Sequence, residues 1–199
     1  MRRRRTCWSP SLPATPSRRT LWLAWAVYWF IAARRVKETR REESPLSRAG
    51  HIVPLGIAAW LLWAPALPQH VLESRFLPYA PAAYWTGAVI VAAGLLFAIW
   101  ARNVLGRNWS GTVTLKQDHE LIRSGPYRYV RHPIYTGLLI AFAGSAVARG
   151  EWRGVLALAI AFAALWRKLK LEEQWMIETF GDAYLRYRAE VRALIPFVL

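Results

Sequence analysis

Five apolar runs, separated by charged or proline-containing segments, dominate the hydrophobic pattern of this chain. They cover Thr20–Ala33, Ile52–Leu67, Ala82–Ala101, Pro133–Ala148 and Val155–Trp166. A membrane-spanning helix needs roughly 17–25 such residues, and the third run meets this length without a charged residue. Its Gly87 and Gly94 are small residues suited to close contact with a second helix. The pattern predicts an all-α integral membrane protein with about five membrane helices.

The polar residues after the fifth run predict one more helix. The run continues without a helix breaker into Arg167–Thr179, and we expect Gly181 to end that helix and Asp182 to cap the next. Four apolar or aromatic positions of the last helix share one face: Tyr184, Tyr187, Val191 and Leu194. This predicts a C-terminal amphipathic helix that lies on the membrane surface.

Composition divides the chain into three parts. Residues 1–19 are basic, rich in Pro and Ser, and contain no acidic residue, so we expect a disordered N-terminal tail. Residues 20–101 hold the first three apolar runs and no chemical motif. Residues 102–199 hold the polar clusters described below, and we expect them to form the catalytic and cofactor-binding half.

The charge balance limits the classes of molecule that this chain is expected to bind. The chain has 27 Lys and Arg against 12 Asp and Glu, a formal net charge of +15. Such a charge suits nucleic acid, an anionic membrane surface or an anionic ligand. The arginines flank the apolar runs and no nucleic-acid motif is present, so we expect membrane lipids and no nucleic acid. The basic loop Arg102–Arg131 and the tail after Trp166 should face the cytoplasm, whereas the side on which the N-terminal tail lies stays open.

A first polar cluster lies where the long loop enters the fourth run. Gly125-Pro126 predicts a turn, and Pro133 is the expected first helical residue, preceded by an extended His132. The helix N-terminus and the adjoining Arg131 would hold an anion. The tyrosines of this cluster offer aromatic faces to adenine or to a cation; they are Tyr127, Tyr129 and Tyr135. The alternative is an ordinary belt of interfacial Tyr and Arg.

A second polar cluster follows the fifth run. Lys168 and Glu172 are four residues apart and share one helix face, with Glu173 rotated by one position. Ionisable residues at this depth normally face the protein interior or water. A carboxylate there would bind a ribose diol or balance a sulfonium charge, and a solvated helix end is the alternative. The single Cys7 excludes a disulfide framework and a Cys-based zinc site, and we expect no metal.

Together these clusters resemble the isoprenylcysteine carboxyl methyltransferase family. The residues that carry the resemblance are Gly125–Gly137, Glu172-Glu173, Phe180-Gly181, Tyr184, Tyr187 and Leu194–Pro196, with Leu105–Ser110 resembling prokaryotic members. The resemblance covers Arg102 to Pro196. It implies an integral membrane enzyme that uses S-adenosylmethionine, bound by the C-terminal half near the cytoplasmic face.

The resemblance also assigns roles to individual positions. The cofactor contacts would be His119, Glu120, Leu121, Ile122, Tyr127, His132, Pro133, Tyr135 and Glu172. The catalytic residues would be Arg131, His132 and Glu172. The basic residue on the substrate side falls on Lys168, with Glu173 beside it; better-known members have Arg there, so this chain keeps the charge and loses the bidentate fork. Thr114 and Lys116 are candidates for one further polar contact.

The implied reaction is methyl transfer from S-adenosylmethionine to the carboxylate of a lipophilic, isoprenylcysteine-like acceptor. A carboxylate is ionised at neutral pH, so the reaction requires no general base. The enzyme would lie in the membrane, which is the inner membrane in a bacterium, with its site facing the cytoplasm. The alternatives are a phospholipid or amine N-methyltransferase, in which Glu172, Glu173 or His132 takes a proton, a membrane NADPH-dependent sterol or enone reductase, and a scaffold or channel subunit without activity.

Overall fold

The computed structural model of the chain describes residues 18–34, 39–64, 70–109, 114–116 and 121–196. Most of the expected N-terminal tail therefore lies outside the described residues, and its last two residues begin the first helix. Within these ranges the chain forms the elements α1 (Arg18–Ala32), β1 (Thr39–Glu42), α2 (Pro45–Trp63), α3 (His70–Glu73), α4 (Pro81–Leu105), β2 (Thr114–Lys116), α5 (Pro133–Arg149), α6 (Trp152–Phe180) and α7 (Asp182–Glu190). Two 3-10 turns, Gly106–Asn108 and Gly125–Arg128, flank the long loop.

The five apolar runs form the five long helices, so the predicted helical fold is confirmed. Proline occupies the first turn of α2, α4 and α5, where its missing N–H has no helical partner to lose. Gly181 ends α6 with a positive φ of 51°, as expected. Asp182 is the first residue of α7, and Gly181 takes the cap position without a side-chain hydrogen bond. The expectation that Asp182 caps this helix is therefore wrong.

Glycines allow α4 and α5 to approach each other backbone to backbone. A Cβ on Gly87 would lie 2.4 Å from the backbone nitrogen of Ala148, and a Cβ on Gly94 would lie 2.5 Å from the carbonyl oxygen of Gly137. Gly137 approaches the Gly94 carbonyl in the same way from the other side. The predicted close contact at Gly87 and Gly94 is confirmed, and it fixes the position of α5, whose first residues enter the site.

A two-stranded antiparallel sheet joins two segments that the sequence pattern assigns to loops. β1 pairs with β2, with Thr39 opposite Lys116 and Glu42 opposite Thr114. The sheet ties the segment between α1 and α2 to the long loop that precedes α5. It is a small addition to an otherwise helical architecture.

The chain after α7 is extended, although the sequence pattern continues the helix to Leu194. Backbone hydrogen bonds run from the Arg131 nitrogen to the Arg192 oxygen (2.8 Å) and from the His132 nitrogen to the Ala193 oxygen (3.0 Å). Leu194 is buried all the same. The C-terminal segment therefore packs against the residues that lead into α5 and holds them in place.

A group of charges that contains two buried arginines, here called the turn cluster, lies where α5 turns into α6. It consists of Arg149, Glu151 and Arg153. Both guanidinium groups bind Oε2 of Glu151 through Nε, at 2.9 and 2.6 Å. Their terminal nitrogens donate to the carbonyl oxygens of Leu62 and Ala64 at the end of α2. The cluster thus joins three long helices at one end of the molecule.

The surface of the helices suits lipid. α4 is the one helix among the described residues that is long and apolar enough to cross a membrane, and α5 is a shorter apolar helix. Large apolar side chains point outward from the helices; examples are Ile52, Val53, Ile57 and Trp60 on α2, and Val89, Leu96 and Trp100 on α4. An apolar surface of this extent is rare on soluble monomers.

Candidate active site

The start of α5 meets the last third of α6, and this contact brings the two predicted polar clusters together. Nδ1 of His132 lies 3.5 Å from Oε2 of Glu172, and Nε2 lies 3.4 Å from Oε1 of Glu173. The imidazole is held there because His132 occupies the cap position before Pro133 and its backbone is fixed by Ala193. The structure therefore places the histidine between the two adjacent carboxylates. We call Arg131, His132, Lys168, Glu172 and Glu173 the site cluster.

Glu172 is the centre of this cluster. Its Oε1 accepts a hydrogen bond from the Tyr135 hydroxyl at 2.5 Å and lies 3.9 Å from Nζ of Lys168. The Tyr135 ring stacks on the His132 ring, with centroids 5.4 Å apart and planes 6° from parallel. Lys168 Nζ is also 5.5 Å from the centre of the Tyr135 ring. The Glu172 side chain is 24% exposed, so its carboxylate borders both the protein and its surroundings.

Arg131 is bound to the protein on every side. Its Nε and Nη2 donate to Oε1 of Glu173 at 2.8 and 2.5 Å, and its Nη1 donates to the backbone carbonyls of Arg188 and Val191. The sequence pattern suggests that this guanidinium holds an anionic ligand. The structure shows it holding Glu173 and the end of α7 instead.

The charge of His132 follows from its neighbours. Burial alone lowers the pKa of the imidazole, but the hydrogen bonds and charges of Glu172 and Glu173 outweigh burial, and the pKa of His132 is raised above its ordinary value. The two carboxylates therefore favour the protonated ring. Nε2 of His132 is buried and is ion-paired with Oε1 of Glu173 at 3.4 Å, while no contact in the described part of the chain gives it a hydrogen bond of good geometry.

The remaining predicted contacts lie in several parts of the chain. Tyr127 is buried, and its carbonyl accepts a hydrogen bond from the Tyr187 hydroxyl at 2.5 Å. Burial raises the pKa of the Tyr127 hydroxyl, so it stays protonated. Pro133 is buried, and Leu121 and Ile122 are half-buried. Thr114 and Lys116 lie in β2. His119 and Glu120 lie outside the described residues.

Sequence reasoning missed one buried polar pair close to this site. Glu43 and His51, at the start of α2, are 4% and 1% exposed. Glu43 follows β1 in a segment expected to be a charged loop, and nothing in the local pattern distinguishes it from the exposed Glu42. The pair is recognisable only from the tertiary structure, in which α2 packs against α6.

The sequence and the fold of this chain match those of known proteins. The family model described as Phospholipid methyltransferase matches residues 82–183. The Schizosaccharomyces pombe protein-S-isoprenylcysteine O-methyltransferase is 33% identical over 99 residues, which are 47% of this chain and 41% of that protein. Protein-S-isoprenylcysteine O-methyltransferase B of Arabidopsis thaliana is 26% identical over 139 residues, 65% of this chain and 69% of that protein.

A solved structure shares the fold. It is that of the eukaryotic intramembrane Ras methyltransferase, an isoprenylcysteine carboxyl methyltransferase; the TM-score is 0.56 at 21% identity, over 94% of this chain and 70% of that one. This likeness confirms the predicted helical membrane fold. The names of these relatives and the shared fold together confirm the resemblance to isoprenylcysteine carboxyl methyltransferases. The matched family model spans about half of the sequence, including α4, α5, α6 and the site cluster, and the chain therefore belongs to the phospholipid methyltransferase family.

Proposed function

We propose that this chain is a membrane methyltransferase that transfers a methyl group from S-adenosylmethionine to the carboxylate of a lipophilic, isoprenylcysteine-like acceptor. The observation that carries the proposal is the position of His132 between Glu172 and Glu173, since it joins the two motifs of the resemblance in one site. Relatives named as protein-S-isoprenylcysteine O-methyltransferases support the acceptor class. Methyltransferases of this kind generally use S-adenosylmethionine, which supports the donor.

The residues at the site fit this donor. Glu172 has a partly exposed carboxylate that can accept hydrogen bonds from ribose hydroxyls. Nε2 of His132 has an ion pair with Glu173 but no hydrogen bond of good geometry among the described residues. The stacked His132 and Tyr135 rings offer an aromatic edge beside them. When bound, S-adenosylmethionine supplies an electrophilic methyl group on a cationic sulfur. We assign cofactor contacts to Leu121, Ile122, Tyr127, His132, Pro133, Tyr135 and Glu172, and also to His119 and Glu120.

The side chains around Glu172 would position the acceptor rather than activate it chemically. An acceptor carboxylate is already ionised at neutral pH, so the chain needs to orient it and to exclude water. Lys168 provides the positive charge for this carboxylate, next to Glu172. Arg131 and Glu173 act as positioning residues, because their bonds to each other fix the ring of His132. The methyl transfer then depends on geometry and on fixed charges.

The location of the site suits two substrates of opposite polarity. We infer that residues 20–101 form a membrane scaffold and residues 102–199 the catalytic half, with the basic loop before α5 on the cytoplasmic side. A charged cofactor would then enter from the cytoplasm and the lipid tail of the acceptor from the bilayer. A site at the ends of α5 and α6 allows both to reach Glu172.

A phospholipid or amine acceptor is the second candidate, because the matching family model is described as phospholipid methyltransferase. An ammonium group must lose a proton before it can accept a methyl group. Glu172 is the residue placed to take this proton, since it is partly exposed and holds only one short hydrogen bond. The reductase and the inactive scaffold have no such support.

Transfer of a labelled methyl group by the purified full-length chain tests the proposal. N-acetyl-S-farnesylcysteine and phosphatidylethanolamine are offered in parallel, with labelled S-adenosylmethionine as donor. We expect a base-labile methyl ester on the farnesylcysteine and little label on the phospholipid. Label on the phospholipid alone would establish the second candidate. Stabilisation of the protein by NADPH but not by S-adenosylhomocysteine would overturn both.

A further inference from the structure

Residues 123–131, here called the strap, are bonded to α7 at three positions on their way from the long loop to α5. At the first position, the guanidinium of Arg123 forms an ion pair with the carboxylate of Glu190. The same guanidinium lies 5.0 Å from the ring centre of Tyr187, which is within the range of a cation–π contact. Both partners belong to α7, so Arg123 fastens the beginning of the strap to that helix.

The other two attachments of the strap are buried. In the middle, the Tyr187 hydroxyl donates to the Tyr127 carbonyl, and both tyrosines are buried. At the last residue, Nη1 of Arg131 donates to two backbone carbonyls at the end of α7. The other nitrogens of Arg131 hold Glu173, and the two side chains are 8% and 4% exposed. These attachments are therefore part of the packed site.

The attachment at Arg123 is the weak one. The side chains of Arg123 and Glu190 are 45% and 58% exposed, and solvent and salt screen an ion pair of this kind. Proteins open locally where the bonds of a segment are few and exposed. We therefore expect the strap to detach first at Arg123, while its attachments at Tyr127 and Arg131 stay in place.

A glycine separates the exposed attachment from the buried ones. Gly125 has a φ of +57°, which glycine adopts without the strain that a side chain brings. It is also close to α4, since a Cβ at this position would lie 3.0 Å from Cγ2 of Val104. Small residues at the end of an element commonly absorb the backbone rotation of a hinge. The residues before Gly125 can thus move away from α7 without moving Tyr127.

The residues beside Arg123 contact the site. Ile122 is half-buried and packs against the hydrophobic cluster that contains Tyr135, whose hydroxyl donates to Glu172. Ile122 is also one of the residues assigned above to the cofactor. Movement of Arg123 away from α7 therefore moves Ile122 relative to Tyr135 and opens this side of the site.

On the basis of the proposed function, we propose that Arg123 is a positioning residue that controls how fast the cofactor and its product, S-adenosylhomocysteine, enter and leave the site. Its bonds to α7 hold Ile122 on the site, and their release opens the path. These bonds join groups of the chain itself, so their strength is the same whether or not the cofactor is bound. Weakening them therefore raises the association and dissociation rate constants by one common factor and leaves the dissociation constant unchanged.

The exchange of labelled S-adenosylhomocysteine tests this role. Displacement by excess unlabelled compound gives the dissociation rate constant, equilibrium binding gives the dissociation constant, and their ratio gives the association rate constant. The full-length chain is compared with Arg123→Gln, Glu190→Gln and the double variant. Arg128→Gln is the matched control, because Arg128 is an exposed arginine of the same strap whose guanidinium lies 5.5 Å from the ring centre of the exposed Tyr129, outside α7.

We expect Arg123→Gln to raise both rate constants about three- to tenfold, the combined value of an exposed ion pair and a cation–π contact, with the dissociation constant within about twofold of its original value. Glu190→Gln should show a smaller increase, and the double variant should match Arg123→Gln, because loss of the arginine already removes the ion pair. Added salt should accelerate exchange in the natural chain and have little effect in Arg123→Gln.

Unchanged or slower exchange in Arg123→Gln would overturn this role and leave the methyltransferase in place. So would a rise of the dissociation rate constant alone, which a loosened site would produce, or an equal acceleration in Arg128→Gln. Failure of the natural chain to bind S-adenosylhomocysteine would overturn the proposed function itself.

Discussion

The site cluster and the turn cluster are both groups of buried charges, yet they differ in how completely they are bonded. In the turn cluster, all three nitrogens of the Arg149 guanidinium have a hydrogen-bond partner within the chain. In the site cluster, Nε2 of His132 has only its ion pair with Glu173 among the described residues, and the Glu172 side chain is 24% exposed. Buried polar groups are normally bonded within the protein, so an incompletely bonded group is a candidate for contact with a ligand.

The largest expected effect is on the turn cluster. Arg153→Ala removes the hydrogen bonds to Glu151 and Ala64 at a place where the arginine side chain is 3% exposed, and it leaves the Glu151 carboxylate with one short bond, to Arg149. Loss of one partner from a buried ion pair costs about 3–5 kcal/mol of unfolding free energy. Denaturant titration in detergent micelles measures this. Arg186→Ala, at an exposed arginine of α7, is the control and should stay within about 0.5 kcal/mol.

If Arg153→Ala were as stable as its control, the hydrogen bonds of the turn cluster would contribute nothing measurable to the unfolding free energy. The contrast between the two clusters would then be meaningless.

The second effect is on ligand binding at the site cluster. Glu172→Gln removes a charged acceptor that we assign to the cofactor, and we expect affinity for S-adenosylhomocysteine to fall about 10- to 100-fold. Because Glu172 also compensates the charges of His132 and Lys168 in the ligand-free chain, the affinity is measured well below the melting temperature of the variant. Isothermal calorimetry gives the affinity, and Glu178→Gln, an exposed position one and a half turns further along α6, is the matched control. Unaltered affinity in Glu172→Gln would remove this carboxylate from the proposed site.

The third effect is a pH dependence that only the site cluster should show. The pKa of His132 is raised by Glu172 and Glu173, so the folded state holds a proton that the unfolded state releases near pH 6.5. This stabilisation is complete below about pH 6.5 and is lost as the pH rises through the raised pKa of the folded protein. Melting temperatures of the natural chain and of His132→Gln should therefore converge at alkaline pH. Parallel pH profiles would contradict the assigned charge.

The smallest effect is expected at the rim of the site. Nε of Arg188 lies 3.5 Å from Oε2 of Glu173, but the arginine side chain is 43% exposed. Solvent and salt screen such a pair, so Arg188→Gln should change the unfolding free energy by less than about 0.5 kcal/mol in the same denaturant titration. A cost near that of Arg153→Ala would mean that exposure does not weaken ion pairs here.

Local pattern predicts the elements well and the long-range contacts poorly. Proline at position 133 and glycine at position 181 mark real helix ends because they act on their own backbone. The spacing of Lys168 and Glu172 places them together for the same reason. The contact between His132 and Glu172 was predicted through the family resemblance, since a separation of 40 residues leaves no periodic signal.

What the sequence does not predict depends on packing between distant segments. The partners of Arg131 include backbone carbonyls of Arg188 and Val191, which any residue type provides. The end of α7 at Glu190 likewise follows from backbone bonds made to the entrance of α5. His51, the partner of Glu43, meets Arg167 only because α2 packs against α6. Each of these is a tertiary effect that overrides or adds to local preference.

The glycine contacts between α4 and α5 have a consequence for how a lipid could reach the site. At this α4–α5 interface the backbones are in direct contact. No side chain there can change its rotamer to open a gap between the two helices. A tail that enters sideways from the bilayer must part a different pair of helices. His132, which caps α5, is thus attached to a helix that is held closely against α4.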